Sequence, residues 1–248
     1  DEHLIPTCIA WVDGKLLVGS GAAELKTELT EGKDLWTSFK MLLGVDLGPQ
    51  YPNTKLPDSQ GSTTIERPRD AARVFFSALR AGIEDYVSRE GKPARIRYTV
   101  TVPASFEANQ RKDLLQSIND SGIPAEDCVL FDEPNSAFLS YLVGMEQKTD
   151  GTRFVDDLAG KAKKVLVFDF GAGTCDISII EVSVDQSRLT CRNVGISKFW
   201  ALGGDDIDRV IARNVLLPQL CGKATPEDIF SSLELDNLIL PRLKPIAE

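Results

Sequence analysis

The sequence predicts an α/β protein organised in two halves, and three observations carry that reading. Short runs rich in Val, Ile, Phe and Tyr, among them "RYTVTV", "CVLF", "KVLVFDF" and "DISIIEV", have the length and composition of strands. Between them lie segments whose apolar residues recur at three and four, the period of a helix with one buried face. A polar stretch, "EQKTDGTRFVDDLAGKA", residues 146–162, then separates the two sets and reads as a linker between a first lobe, 1–145, and a second, 163–248.

The elements follow in order. "TCIAWVDGKLLVGS" predicts a hairpin, because Asp13-Gly14 tolerates the positive φ of a two-residue turn and apolar runs flank it. "DLWTSFKMLLG" predicts a short helix closed by Gly44, and "VDLGPQYPNTKLPDSQGST" a loop by its Pro, Gly, Asn and Ser content. From Pro68, the recurrence of Ala72, Phe75, Phe76, Leu79, Ile83, Tyr86 and Val87 predicts a long helix ended by Gly91-Lys92-Pro93. "ARIRYTVTVPA" is a strand stopped by Pro103, and "EANQRKDLLQSINDSGI" an amphipathic helix with Gly122 as its C-terminal signal. "CVLFDEP" is a strand, and "NSAFLSYLVG" a helix whose start Pro134 favours. The second half runs through strands in "KVLVFDF", "CDISIIEVSV" and "LTCRNVGISKFWAL" to a helix in "GGDDIDRVIARNVLLPQL". Both ends read as cut: the first hairpin is already under way near Asp1, and "NLILPRLKPIAE" stops without a helix C-cap signal.

Composition narrows the function. The 248 residues carry a net charge of −9 from 37 acids and 28 bases, with no basic run among aromatics, which argues against nucleic acid and anionic membranes as partners. Five cysteines without close pairing read as buried free thiols in a reducing compartment, and the expected location is cytoplasmic. His3 is the sole histidine, so carboxylates, lysine, hydroxyls and backbone amides must carry any chemistry.

The stretch "VFDFGAGTCD", residues 167–176, is where such chemistry would sit. It joins strand to strand, whereas a Walker loop or dinucleotide fingerprint opens a helix. A glycine-rich turn between strands can still aim successive N–H groups at an anion. Asp169 and Asp176 flank it, and carboxylates beside a phosphate repel it unless a cation such as magnesium intervenes. The residues alone leave two readings open, a phosphate loop and an ordinary tight hairpin.

"VLVFDFGAGTCDISIIEV" resembles the second phosphate-binding loop of the DnaK-type, seventy-kilodalton heat-shock chaperones, members of the actin-like ATPase superfamily. Five further segments are similar to that family in the same order: "IPTCIAWVDGKLLVGSGA", "FKMLLG", "VTVPASFEANQRKDLL", "DEPNSAFLSYL" and "LGGDDIDRVIARNVL". The resemblance implies an actin-like, ribonuclease-H-like two-lobe fold, incomplete at both ends here, that binds ATP or ADP with Mg2+ between its lobes. In that family the nucleotide state controls a separate peptide-binding domain, so client polypeptides and co-chaperones are implied partners. By the same resemblance Lys40 matches the lysine that orients the γ-phosphate and attacking water, and Glu133 a carboxylate acting on the metal's water shell. Asp169 and Asp176 match the acids that hold magnesium through waters. Gly171, Ala172, Gly173 and Thr174 match the phosphate loop, Gly203 and Gly204 the sugar-side turn, and Glu248 an adenosine-facing acid. Ala172 stands where glycine is usual and Cys175 where an aromatic is usual. Ala172 is expected at negative φ, with Gly171 and Gly173 absorbing the unusual dihedrals. Two other classes share this pattern, a sugar- or acetate-kinase-like phosphotransferase and a non-enzymatic docking module.

Overall fold

The first hairpin forms as its turn chemistry dictates. In this computed structural model, which describes residues 4–46, 54–58, 61–91, 95–146, 161–185, 188–198 and 202–247, β1 (Cys8–Val12) pairs antiparallel with β2 (Lys15–Val18). Asp13 and Gly14 take φ of 51° and 73°, the positive pair that a mirror-image type I turn requires. β1 also pairs antiparallel with β3 (Leu35–Thr37), which corrects the helix expected over "DLWTSFKMLLG". Leu35 and Trp36 are buried against β1, and this tertiary pairing overrides the helical spacing. Only Phe39–Leu42 makes a single 3₁₀ turn. Cys8, Ala10, Ala22 and Leu35 form the small core beneath, with Ala22 from α1 (Ser20–Ala23).

The stretch 45–63, expected as loop, contains a strand pair instead: β4 (Thr54–Asp58) lies antiparallel to β5 (Gly61–Ile65). Pro57 lacks an N–H, which an edge strand of a two-stranded ribbon tolerates. The long helix forms as α2 (Pro68–Arg89), with proline in its first turn, Asp70 accepting the N–H of Arg67 at 3.0 Å, and Gly91 at φ 61° just beyond its end. α3 (Ala108–Asp120) ends at Gly122, φ 90°.

β6 (Tyr98–Val102) and β7 (Cys128–Asp132) are parallel neighbours, and α4 (Glu133–Glu146) follows β7 directly. β8 (Lys163–Phe170), β9 (Cys175–Asp185) and β10 (Arg188–Ile196) make an antiparallel sheet in the order β10-β9-β8. One face of it, carrying Val165, Val167, Ile180 and Val182, packs on Phe138 and Leu142 of α4. Most of the linker, residues 147–160, lies outside the described residues.

The last helical region departs from a single regular helix. α5 (Gly204–Ile211) passes through a π-type turn, Ala212–Leu216, into α6 (Leu217–Cys221). Pro218 cannot donate to the carbonyl four residues back and its ring crowds that position, so the helix widens just upstream. α7 (Pro226–Ile229), α8 (Ser232–Glu234) and α9 (Leu240–Ala247) complete the described chain, with Ala212, Leu217, Leu235 and Leu240 as their shared core.

Contacts divide the molecule into two compact units. One comprises Asp1–Ile96, Asn109–Ala125 and Gly204–Glu248; the other comprises Arg97–Ala108 and Glu126–Gly203.

Candidate functional site

The β8–β9 hairpin gathers the candidate residues of the second unit. Its register pairs Phe170 with Cys175 and Asp169 with Asp176. Gly171 N–H donates to the Thr174 carbonyl at 2.9 Å, which leaves Ala172 and Gly173 as the two central residues of the turn. Among the described residues, positive φ outside glycine is confined to Asp13 and Ser38, so Ala172 adopts the negative φ expected of it. The glycines flanking it do not absorb positive φ as expected, because Gly171 and Gly173 are also outside that region. The strands already set the reversal, and the turn closes without mirror-image dihedrals.

Strand geometry fixes where the acids point. Residues directly opposite in an antiparallel pair share a face, so Asp169 and Asp176 lie side by side on the face that carries Val167 and Ile180 further along. Asp176 is only 2% exposed and Thr174 9%. Two carboxylates in that relation repel unless a proton or a cation lies between them. Asp176 accepts a hydrogen bond from Ser105 Oγ, which belongs to the turn after β6.

Gly203 completes the surroundings of the turn. A Cβ on Gly203 would lie 2.5 Å from the Ala172 carbonyl oxygen and 2.7 Å from that of Gly171. Backbone therefore packs directly on backbone, and any larger residue is excluded. Glu133, in the same unit, opens α4, where a carboxylate is favoured by the helix N-terminus. The residue before it, Asp132, accepts Asn193 Nδ2 at 2.9 Å and so ties the end of β7 to β10.

Lys40 lies in the first unit, on the 3₁₀ turn Phe39–Leu42, and is held at both flanks. Ahead of it, Ser38 takes φ 50° and donates to Asp205 Oδ2 at 2.8 Å, while Lys244 Nζ sits 2.9 Å from Asp205 Oδ1. Phe39 is buried edge-on against Phe75, with centroids 6.0 Å apart. Behind it, Gly44 N–H donates to Asp113 Oδ2 at 3.0 Å and its carbonyl accepts Asn109 Nδ2 at 2.8 Å. Gly204, also of the first unit, begins α5. Glu248 lies outside the described residues.

The family model for Hsp70 protein matches residues 1–244. The chain belongs to the Hsp70 family. That membership implies the actin-like ATPase fold, and the observed structure is mixed α/β with several sheets, as the family requires. Among the described residues no helix is long and apolar enough to cross a membrane. Nor do three or more His, Cys, Asp or Glu side chains of those residues cluster as direct metal ligands.

Two features around this hairpin do not show in the Hsp70-like sequence. Ser105 stands inside the family-like "VTVPASFEANQ", yet nothing in that string says its hydroxyl reaches a residue 71 positions away. The Gly203 contact with Ala172 depends equally on the tertiary fold.

Proposed function

We propose that this chain is the nucleotide-binding ATPase part of an Hsp70 chaperone, with Mg2+ and the phosphates of ATP or ADP at the β8–β9 hairpin. The observation that supports it best is the cross-strand pair of half-buried Asp169 and buried Asp176 beside a turn whose backbone Gly203 leaves free of side chains. The donor set fits the cation. It is all oxygen, and two carboxylates without a third acidic neighbour among the described residues suit a magnesium that keeps its waters and takes phosphate oxygens for the rest of its shell. Such a cation offsets charge on the transferring phosphoryl group.

In this reading Asp169 and Asp176 hold the hydrated cation, and the N–H groups of Ala172, Gly173 and Thr174 bind phosphate oxygens. Gly171 closes the turn, Gly203 packs against its carbonyls, and Gly203 with Gly204 makes the sugar-side turn. Lys40 orients the γ-phosphate and Glu133 the attacking water, which makes hydrolysis a matter of positioning and electrostatics. The reading extends to a two-lobe arrangement divided at 1–145 and 163–248 and to a cytoplasmic location; family membership supports client polypeptides and co-chaperones as partners in the intact protein.

Single-turnover ATP hydrolysis by the intact protein tests the roles. Lys40→Ala and Asp169→Asn are each expected to slow it roughly 100-fold or more, the scale of losing one electrostatic stabiliser. Rates within a few-fold of wild type would refute them.

A further inference from the structure

The roles assigned above leave Ser105 unused, although it is the residue whose side chain touches Asp176. Ser105 does not belong to the hairpin. It lies in the turn after β6, where Phe106 N–H donates to the Pro103 carbonyl at 3.1 Å and Pro103, Ala104 and Phe106 are all buried. Its hydroxyl therefore reaches Asp176 from backbone that cannot readily shift.

A carboxylate that is 2% exposed must satisfy its oxygens within the protein or with bound solutes. The facing Asp169, when ionised, offers acceptors alone. Ser105 commits Oδ1 of Asp176 to the protein. That single bond stops the carboxylate from rotating and leaves Oδ2 for a water of a cation's shell.

We propose that Ser105 is a positioning residue for cation binding: its hydroxyl locks the orientation of Asp176 so that one oxygen is held by the protein and the other serves the hydrated cation. The inference rests on the Mg2+-nucleotide site proposed above. It extends that reading to a side chain on a different element, which would act on the cation only through Asp176.

Calorimetric titration of ADP into the intact protein over a series of Mg2+ concentrations tests it. Ser105→Ala is expected to raise the Mg2+ concentration for half-maximal ADP binding roughly 10–100-fold, the usual effect of losing a group that orients a metal ligand. Ser105→Thr, which keeps the hydroxyl, should restore the wild-type requirement, and ADP affinity at saturating Mg2+ should stay within about threefold in both. A merely structural role would instead lower ADP affinity at every Mg2+ concentration, together with the melting temperature. If the alanine variant does not fold, Ser105→Cys, nearly isosteric but a weak donor, carries the test with the same expected direction. A wild-type Mg2+ requirement in the alanine or cysteine variant, while wild type itself depends on Mg2+, overturns the role of Ser105 alone. ADP binding by wild type that ignores Mg2+ overturns the site and this inference together.

Discussion

The β1–β2 and β8–β9 hairpins each turn on two residues, and their surroundings differ. At Asp13-Gly14 both residues take positive φ, both are exposed, and a Cβ on Gly14 would meet nothing within 4 Å. That turn reverses the chain and nothing presses on it. At Ala172-Gly173 neither residue needs positive φ, yet the acids at its base are paired across the strands, Asp176 is buried, and Gly203 abuts the turn's carbonyls. A turn that only reverses a strand gains nothing from facing like charges of which one is buried, since they lower stability. The contrast teaches that a functional turn is identified by what it makes the fold tolerate, rather than by its own dihedrals.

The sharpest way to break the comparison is to add one methyl beside each turn. Gly203→Ala drives a Cβ into the Ala172 carbonyl and should cost about 2–3 kcal/mol, lowering the melting midpoint by roughly 5–10 °C. Gly14→Ala meets open space, so only its φ of 73° is strained, and about 1 kcal/mol is expected. Thermal melts of equal depth for the two variants would erase the distinction between the turns.

Legibility follows the same divide. β1 and β2, α2, α3 and the strands β6 to β10 could be read because local signals and burial agree: Asp13-Gly14, the 3.6-residue period after Pro68, and alternating Val, Ile and Phe. Leu35–Thr37 was misread because Leu35, Phe39 and Leu43 fall at helical spacing, while the partner that makes it a strand is β1, more than 20 residues earlier. Around the site, Asp169, Asp176 and the turn stood out in the string. The hydroxyl of Ser105 and the approach of Gly203 did not, since both arise from elements that meet only in the folded chain.

A carboxylate satisfied inside the protein sharpens the comparison further. Partial burial works to raise the Asp205 carboxyl, but hydrogen bonds from Lys244 and Ser38 and the attraction of Lys244 and Lys26 outweigh it and leave it below the ordinary aspartate value. Its folded-state value is thus depressed, so its contribution is present above the unfolded value near pH 4 and lost as pH falls through the lower folded value. Lys244→Met should flatten this part of the stability profile, giving melting temperatures that approach wild type as pH drops below about 4. A constant offset between the two proteins from pH 7 to 3 would contradict the pairing.

The smallest effect belongs to Ala172→Gly. With Ala172 at negative φ, glycine there only frees the unfolded chain, so stability should fall by roughly 0.4–1 kcal/mol. Nucleotide affinity in the intact protein should shift by less than tenfold, about 1.4 kcal/mol. A hundredfold gain in affinity would mean that the alanine methyl obstructs the phosphate.

The most direct measurement of whether the β8–β9 hairpin is a cation and phosphate site is a pair of melting curves for wild type and Asp169→Asn, taken without and with Mg2+-ADP in the intact protein. Without ligand the variant loses the repulsion across from Asp176 and should melt higher, by up to about 1 kcal/mol or roughly 2–4 °C. With Mg2+-ADP present the order should reverse, because wild type gains ligand stabilisation that the variant lacks. Curves in which Asp169→Asn melts with wild type under both conditions would contradict the site.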